Sequence, residues 1–150
     1  MRLFIAEKPS LGRAIAEAIG KPVKSDKLSM TMDNGDVICW SAGHILEPQV
    51  PEQISAEYNK WTLAQLPIIP QDWVLVPKPD TKDLLGNIGR LLKTADIVVN
   101  AGDADREGQL LIDEILQHFK YKGKVLRILV TDMNAGAVRK ALADEQCARA

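Results

Sequence analysis

Three acidic residues, Asp103, Asp105 and Glu107, follow the mostly apolar, β-branched run of residues 97–101. We call residues 103–107 the acid loop. The β-branched run predicts a buried strand, and the apolar periodicity from Leu110 onward predicts a helix behind the acids. In extended backbone, residues two apart point the same way, so Asp103 and Asp105 are expected to project together, with Glu107 in the first helical turn. Open α/β sheets bind their ligands at this edge.

The chemistry of the acid loop points to a cation. Carboxylates this close repel one another unless a positive charge neutralises them. Their oxygens suit a hard cation, and Mg²⁺ takes only one or two carboxylates together with waters and substrate phosphate oxygens. The loop therefore predicts a magnesium site. The alternative is a solvated loop whose Asp and Glu side chains cap the helix N-terminus, and an isolated Asp-x-Asp-x-Glu pattern favours that alternative.

Glu7 and Lys8 occupy the same kind of position near the start of the chain. Residues 3–6 predict a short buried strand, and the apolar spacing over 11–19 predicts a helix with Ser10 as its N-cap. Parallel strands end at one edge of a sheet, so Glu7 can face the acid loop and Lys8 can contact a phosphate as a point charge. An exposed ion pair in a loop is the simpler alternative for this dipeptide.

The rest of the chain alternates strands and helices around one long irregular excursion. That excursion, residues 47–80, carries six of the eight prolines. Further elements are predicted as a hairpin over 28–42 around an Asn-Gly turn, strands over 73–76 and 125–130, helices over 81–93 and from 134, and a helix tail over 144–150. The alternation predicts an α/β fold with a largely parallel sheet that is flanked by helices on both faces.

Length and composition bound the class of protein. A chain of 150 residues that is 46% hydrophobic and 26% charged predicts one globular domain with its own core. Neither a membrane-spanning run nor a signal peptide is recognisable, which predicts a cytoplasmic location without a membrane partner. Two cysteines make no disulfide framework, and Cys39 lies in an apolar strand as a small core residue.

Charge and aromatic residues leave the mode of nucleic-acid contact open. A net charge of −1 argues against a non-specific nucleic-acid binder. Two basic clusters are either solvated loops or a phosphate-facing rim; they comprise Lys21, Lys24, Lys27, Lys120, Lys122, Lys124 and Arg127. Trp61, next to Lys60, either stacks on a base or anchors the excursion to the core. His44 is either a structural hydrogen-bonding residue or a substrate contact.

Four motifs, in this order, resemble the N-terminal TOPRIM domain of bacterial type IA DNA topoisomerases of the topoisomerase III group. They are Met-Arg-Leu-Phe-Ile-Ala-Glu-Lys-Pro-Ser at 1–10, Gly-His-Ile-Leu-Glu at 43–47, Trp-x-Leu-x-x-Leu-Pro at 61–67 and Ala-Gly-Asp-x-Asp-Arg-Glu-Gly-Gln at 101–109. The resemblance covers essentially the whole chain. It implies a TOPRIM, Rossmann-like fold over residues 1–150 and a metal site in the acid loop.

The resemblance also implies a role for each matching residue. Glu7 would handle the proton at the scissile phosphate and touch the metal, and Lys8 would stabilise the phosphate. Asp103 and Asp105 would be Mg²⁺ ligands, with Glu107 in support.

Single-stranded DNA is the substrate that the resemblance implies. Trp61 matches a position that contacts the strand in this family, and His44 and Arg106 would lie near it. The implied reaction is reversible DNA strand cleavage by transesterification.

One part of the family's machinery is not recognisable in this chain. The family's nucleophile is a tyrosine on a later domain, and Tyr58 and Tyr121 lie in no such motif. We therefore expect a fragment, inactive alone, whose partners are the tyrosine-bearing domains and the DNA of a bacterial nucleoid or plasmid. Two alternatives remain: a free-standing TOPRIM nuclease that uses metal-activated water, and a non-catalytic DNA or protein interaction module.

Overall fold

Residues 1–147, which a computed structural model of the chain describes, contain nine strands and five α-helices, with side chains described through residue 145. The strands are β1 (Arg2–Ala6), β2 (Pro22–Ser25), β3 (Ser29–Met32), β4 (Val37–Trp40), β5 (Leu46–Pro48), β6 (Leu75–Pro77), β7 (Ile97–Ala101), β8 (Lys124–Arg127) and β9 (Gln146–Cys147). The helices are α1 (Pro9–Ile19), α2 (Pro51–Ile54), α3 (Lys82–Leu92), α4 (Arg106–His118) and α5 (Ala135–Ala143).

Seven of the strands form one mixed sheet in the order β2-β3-β4-β1-β7-β8-β9. The four central strands β4, β1, β7 and β8 run parallel. At one edge β3 pairs antiparallel with β4 and β2 pairs antiparallel with β3, and at the other edge β9 pairs antiparallel with β8. The predicted α/β class and largely parallel sheet are confirmed. The predicted helix tail is wrong, since α5 ends at Ala143 and β9 pairs with β8. Residues 148–150 lie outside the described part.

Helices cover both faces of the sheet because successive strand side chains point to opposite sides. In β1, Leu3 and Ile5 pack into a core with α3 and α4, whereas Phe4 and Ala6 pack into a second core with α1 and α5. All four side chains are fully buried. Burying a Leu, Ile or Phe contributes about 1.5–3 kcal/mol each, so β1 is tied to both helical layers. Cys39 is also fully buried, as predicted.

The turn from β1 into α1 is tighter than the sequence predicts. The helix begins at Pro9, which occupies its first turn, where the missing N–H costs nothing. Lys8 is therefore the N-cap residue, and no side chain caps this helix, so the expectation that Ser10 would do so is wrong. As a result, Glu7 is the only residue between the end of β1 and Lys8, the N-cap of α1.

The excursion folds into short elements beside the main sheet. It contains α2 and two 3₁₀ turns, Ala56–Lys60 and Leu63–Gln65, and it is bounded by the antiparallel pair β5–β6. The strand predicted over 73–76 begins two residues later and ends one residue later, as β6. Trp61 is 49% exposed and belongs to neither core, which argues against the core-anchor interpretation of this residue.

The helices of the described residues are short. The longest, α4, has 13 residues, against the roughly 20 that a bilayer span needs. No helix within residues 1–147 could cross a membrane.

Candidate active site

The carboxyl ends of β1 and β7 meet at one edge of the sheet. The two strands are parallel neighbours in a register that runs from Arg2 opposite Ile97 to Ala6 opposite Ala101. The residues that follow therefore leave the sheet side by side. The carboxylate of Glu7 accepts a hydrogen bond from the backbone N–H of Asp103 at 3.0 Å, although 96 positions separate them in the chain.

Lys8 places a cation on the acid loop. Its Nζ donates to Oδ2 of Asp103 at 2.7 Å, and the two side chains are 43% and 35% exposed. This hydrogen bond raises the pKa of Lys8 above its ordinary value, with further support from the charges of Asp103 and Glu7. At this exposure the pair adds no more than about 1 kcal/mol to stability. Its consequence is positional, since it holds the ammonium at the mouth of the sheet.

Asp105 lines the same cleft as Asp103 and also caps the helix that follows it. The strand ends at Ala101, and the N–H of Asp105 donates to the carbonyl of Asp103 at 2.7 Å, so the chain turns at Ala104 before the extended residue Asp105. The Oδ1 of Asp105 accepts from the N–H of Gly108 at 2.7 Å and caps α4. The capping interpretation is thus correct for this residue. It leaves the second carboxylate oxygen for a ligand.

Two glycines give the acid loop its shape. A Cβ on Gly108 would overlap the backbone of Asp103, and a Cβ on Gly102 would overlap the backbone of Gly108. The end of β7 and the first turn of α4 therefore pass in direct backbone contact. Only residues without a side chain allow this approach, which folds Asp103 and Asp105 back over the strand end.

A buried guanidinium lies beneath the loop. Arg127, in β8, is 6% exposed, and its two terminal nitrogens donate to oxygens of residues 100, 102 and 103. Burial lowers its pKa, and the charges of Asp113, Asp105 and nearby acids oppose that effect. The expectation that Arg127 belongs to an exposed basic cluster is wrong. The available signal was an arginine inside the apolar run 125–130, where strand alternation turns it inward.

His44 and Glu107 contact each other on the flank of α4. The Nδ1 of His44 lies 3.0 Å from Oε2 of Glu114, and its Nε2 lies 3.6 Å from Oε2 of Glu107. Glu107 is in the first helical turn, as predicted, but its side chain is directed to His44. Trp61 and Arg106 are both exposed and lie outside the lining of the cleft described next.

A cleft of about 540 Å³ opens over Lys8 and the acid loop. Asp103, Asp105 and residues 130–133 line it, together with Leu11. The contribution of Thr131 and Asp132 was not predicted, because their position depends on where β8 ends relative to β7. A cleft of this volume is in the range of ligand sites, and Lys8 and the acid loop make its lining charged.

The donor set suits a weakly held hard cation. Within residues 1–147, no three His, Cys, Asp or Glu side chains form a ready-made metal cage. The contacts explain why: one oxygen of Asp103 holds Lys8, and one oxygen of Asp105 caps α4. Magnesium needs only one or two carboxylates, because waters and substrate phosphates complete its shell. Glu7, Asp103 and Asp105 therefore fit Mg²⁺ better than a metal that demands a closed protein site.

Comparison with known proteins shows what the chain is similar to. A family model described as the Toprim domain matches residues 2–133. The chain is 46% identical over 145 residues to DNA topoisomerase 3 of Vibrio cholerae, and 44% identical over 146 residues to that of Haemophilus influenzae. These alignments cover 94% and 95% of the chain but 22% of each relative.

A solved structure has a related fold. Full-length topoisomerase I from Thermotoga maritima superimposes with a TM-score of 0.62 over 96% of this chain and 21% of that one. The sequence identity is 15%, so this likeness concerns the fold alone.

Proposed function

Because the chain belongs to the Toprim domain family, we propose that it is the metal-dependent catalytic domain of a type IA DNA topoisomerase. In this proposal it supports reversible cleavage and rejoining of single-stranded DNA by transesterification. The observation that carries the proposal is the meeting of Glu7 and Lys8, from the end of β1, with Asp103, from the end of β7. We place this activity in the bacterial cytoplasm, on nucleoid or plasmid DNA.

Each group at the site has a task in this chemistry. Asp103, Asp105 and Glu7 would hold Mg²⁺, with Glu107 in support, and the cation would offset negative charge at the phosphate. Lys8 has three donors, so its ammonium can keep its bond to Asp103 and reach a phosphate oxygen in the cleft. Glu7 would protonate the leaving 3′ oxygen and take that proton back when the strand is rejoined.

The nucleophile in this proposal comes from outside the 150 residues. Tyr58 lies half-buried in a 3₁₀ turn of the excursion, and the hydroxyl of Tyr121 is directed to the carbonyl of Ala95. Neither lines the cleft. The matched relatives are several times longer than this chain, which covers 22% of their length. We assign the tyrosine to the additional domains of such a protein.

The metal proposal is tested by melting. At ten times its dissociation constant, Mg²⁺ should stabilise the chain by about 1.4 kcal/mol and raise the melting temperature by roughly 3–6 °C. Asp103→Asn should abolish this shift because it removes a charged ligand. Asp72→Asn, an exposed residue of the excursion, should keep it.

The same samples discriminate the competing functions. The absence of a shift with any divalent ion would contradict the metal site and favour a non-catalytic interaction module. If the chain alone nicks plasmid DNA with Mg²⁺ or Mn²⁺, and Asp103→Asn abolishes the nicking, water is the nucleophile and the chain is a nuclease.

We propose that Trp61, His44 and Arg106 contact the DNA strand, with Trp61 stacking on a base. Trp61→Ala should weaken oligonucleotide binding by about 1–3 kcal/mol, measured by fluorescence anisotropy. The melting temperature should fall little, because the side chain belongs to neither core. Trp73→Ala is the matched control, since Trp73 is 71% exposed in the same excursion. Equal losses in both variants would remove the specific role of Trp61.

A further inference from the structure

Arg127 is a buried cation that the proposed chemistry does not use. It sits on the central part of the sheet, 6% exposed, in the strand next to β7. Among the described residues, no ion pair within 4.0 Å includes it. Taking an unpaired guanidinium out of water is costly, so its partners must compensate through hydrogen bonds.

Those partners all lie within residues 100–103, where β7 ends and the acid loop begins. Nη1 donates to Oδ1 of Asn100 at 2.5 Å and to the carbonyl of Gly102 at 3.1 Å, and Nη2 donates to the carbonyl of Asp103 at 2.6 Å. A guanidinium presents its donors in a fixed planar fork, so three acceptors at these distances hold a short backbone segment in one shape.

Asn100 extends this arrangement. It is fully buried at the end of β7, and its Oδ1 also accepts the N–H of Gly102 at 3.0 Å. Its Nδ2 is buried without a hydrogen-bond partner among the described residues. An unsatisfied amide destabilises the fold, which a purely structural residue at this position would avoid. The side chain is therefore oriented to serve Arg127 and Gly102 through its oxygen.

The contacts with Arg127 also fix the direction of the backbone N–H groups of the acid loop. The carbonyls of Gly102 and Asp103 point inward to Arg127, so the N–H of Asp103 points outward to Glu7. The same Asp103 carbonyl receives the N–H of Asp105, which turns the chain into the cap of α4. The orientation of the three proposed metal ligands thus depends on where these two carbonyls are held.

We propose that Arg127 is a positioning residue that keeps the acid loop in its cation-binding shape, resting on the proposed function of that site. The role lies in the fork geometry and not in the charge alone. Charge by itself predicts the opposite effect, because a cation beneath the carboxylates repels an incoming metal. The two roles therefore give opposite signs in a binding measurement.

The experiment measures Mn²⁺ binding to the 150-residue chain by electron paramagnetic resonance, well below the melting temperature of each variant. Arg127→Met removes the fork and the charge, and Arg127→Lys keeps the charge without the fork. Residues that orient metal ligands through hydrogen bonds typically contribute 10–100-fold to metal affinity. We expect both variants to raise the Mn²⁺ dissociation constant by about 10-fold or more.

Val125→Ala is the matched control. Val125 precedes Arg127 by two residues on the same face of β8 and is buried in the core. Its apolar side chain makes no hydrogen bond to the acid loop. It should lower the melting temperature and leave the dissociation constant unchanged. A role of Arg127 in global stability alone would make all three variants behave like this control.

The outcomes separate the two proposals. Tighter Mn²⁺ binding by Arg127→Met with unchanged binding by Arg127→Lys would overturn the positioning role in favour of simple charge balance. Unchanged binding in both would also overturn it, while the metal site stands. Failure of the parent chain to bind Mn²⁺ would overturn the proposed function itself. Should Arg127→Met not fold, Arg127→Lys decides, because only the fork hypothesis predicts weaker binding when the charge is retained.

Discussion

Strand cleavage should fall by about 10²–10⁴-fold when Glu7 is replaced by Gln in the longer topoisomerase that we propose carries this domain. The substitution is nearly isosteric. The oxygen of the new amide can still accept the N–H of Asp103, the contact that Glu7 makes at 3.0 Å. What the amide cannot do is give a proton to the leaving 3′ oxygen or take it back. The yield of covalent protein–DNA complex on a labelled oligonucleotide measures the effect.

Glu17→Gln serves as the control for this substitution. Glu17 is exposed on α1, so the same change of charge there should leave cleavage unaltered. Stabilisation by Mg²⁺ should persist in Glu7→Gln, because Asp103 and Asp105 are untouched. Cleavage at the parent rate in Glu7→Gln would remove Glu7 from the mechanism.

Gly108→Ala should be among the most damaging single-methyl changes in the chain. The added Cβ would overlap the backbone of Asp103, and backbone cannot rotate away as a side chain can. Overpacking of this kind costs about 1–3 kcal/mol or more. Moving Gly108 also lengthens the bond from its N–H to Asp105, the cap of α4, which is worth about 1 kcal/mol. We expect a large fall in urea-unfolding stability together with loss of the Mg²⁺-dependent melting shift.

Gly86→Ala provides the opposite case. Gly86 is exposed within α3, and a Cβ there would meet nothing within 4 Å. Alanine in a helix interior is favoured over glycine by about 0.5–1 kcal/mol, so this variant should be slightly more stable than the parent. If Gly108→Ala unfolded at the same urea concentration as Gly86→Ala, the backbone contact between β7 and α4 would not be the constraint that we describe.

Sequence patterns predicted the framework of the site well. Apolar runs before Glu7 and before the acid loop indicated β1 and β7, and both strands form where expected. The period of apolar residues likewise indicated α3 and α4. These signals are local, because a strand or helix that buries one face must repeat its apolar residues at the period of its own backbone. Edge strands β2 and β9 carry no such signal, since β2 is fully exposed and β9 has two residues.

Side-chain direction at the strand ends was predicted less well. Asp105 lines the cleft beside Asp103 and also caps α4, whereas metal binding and capping are alternatives in the sequence. Arg127 was expected on the surface, and it is buried against the acid loop. In both cases the result depends on a backbone group that belongs to another part of the chain or to a turn. Spacing along one segment does not contain that information.

The sequence by itself determined which residues could do chemistry, and it determined that each group follows a buried strand. It did so because residue type and periodicity are written into each segment separately. Only the tertiary structure decided that β1 and β7 are neighbours in register. It also decided that Lys8 donates to the carboxylate of Asp103 and that Arg127 donates to the carbonyl of the same residue. Strand order and register follow from packing both faces of the sheet at once, a property of the whole chain that no single segment carries.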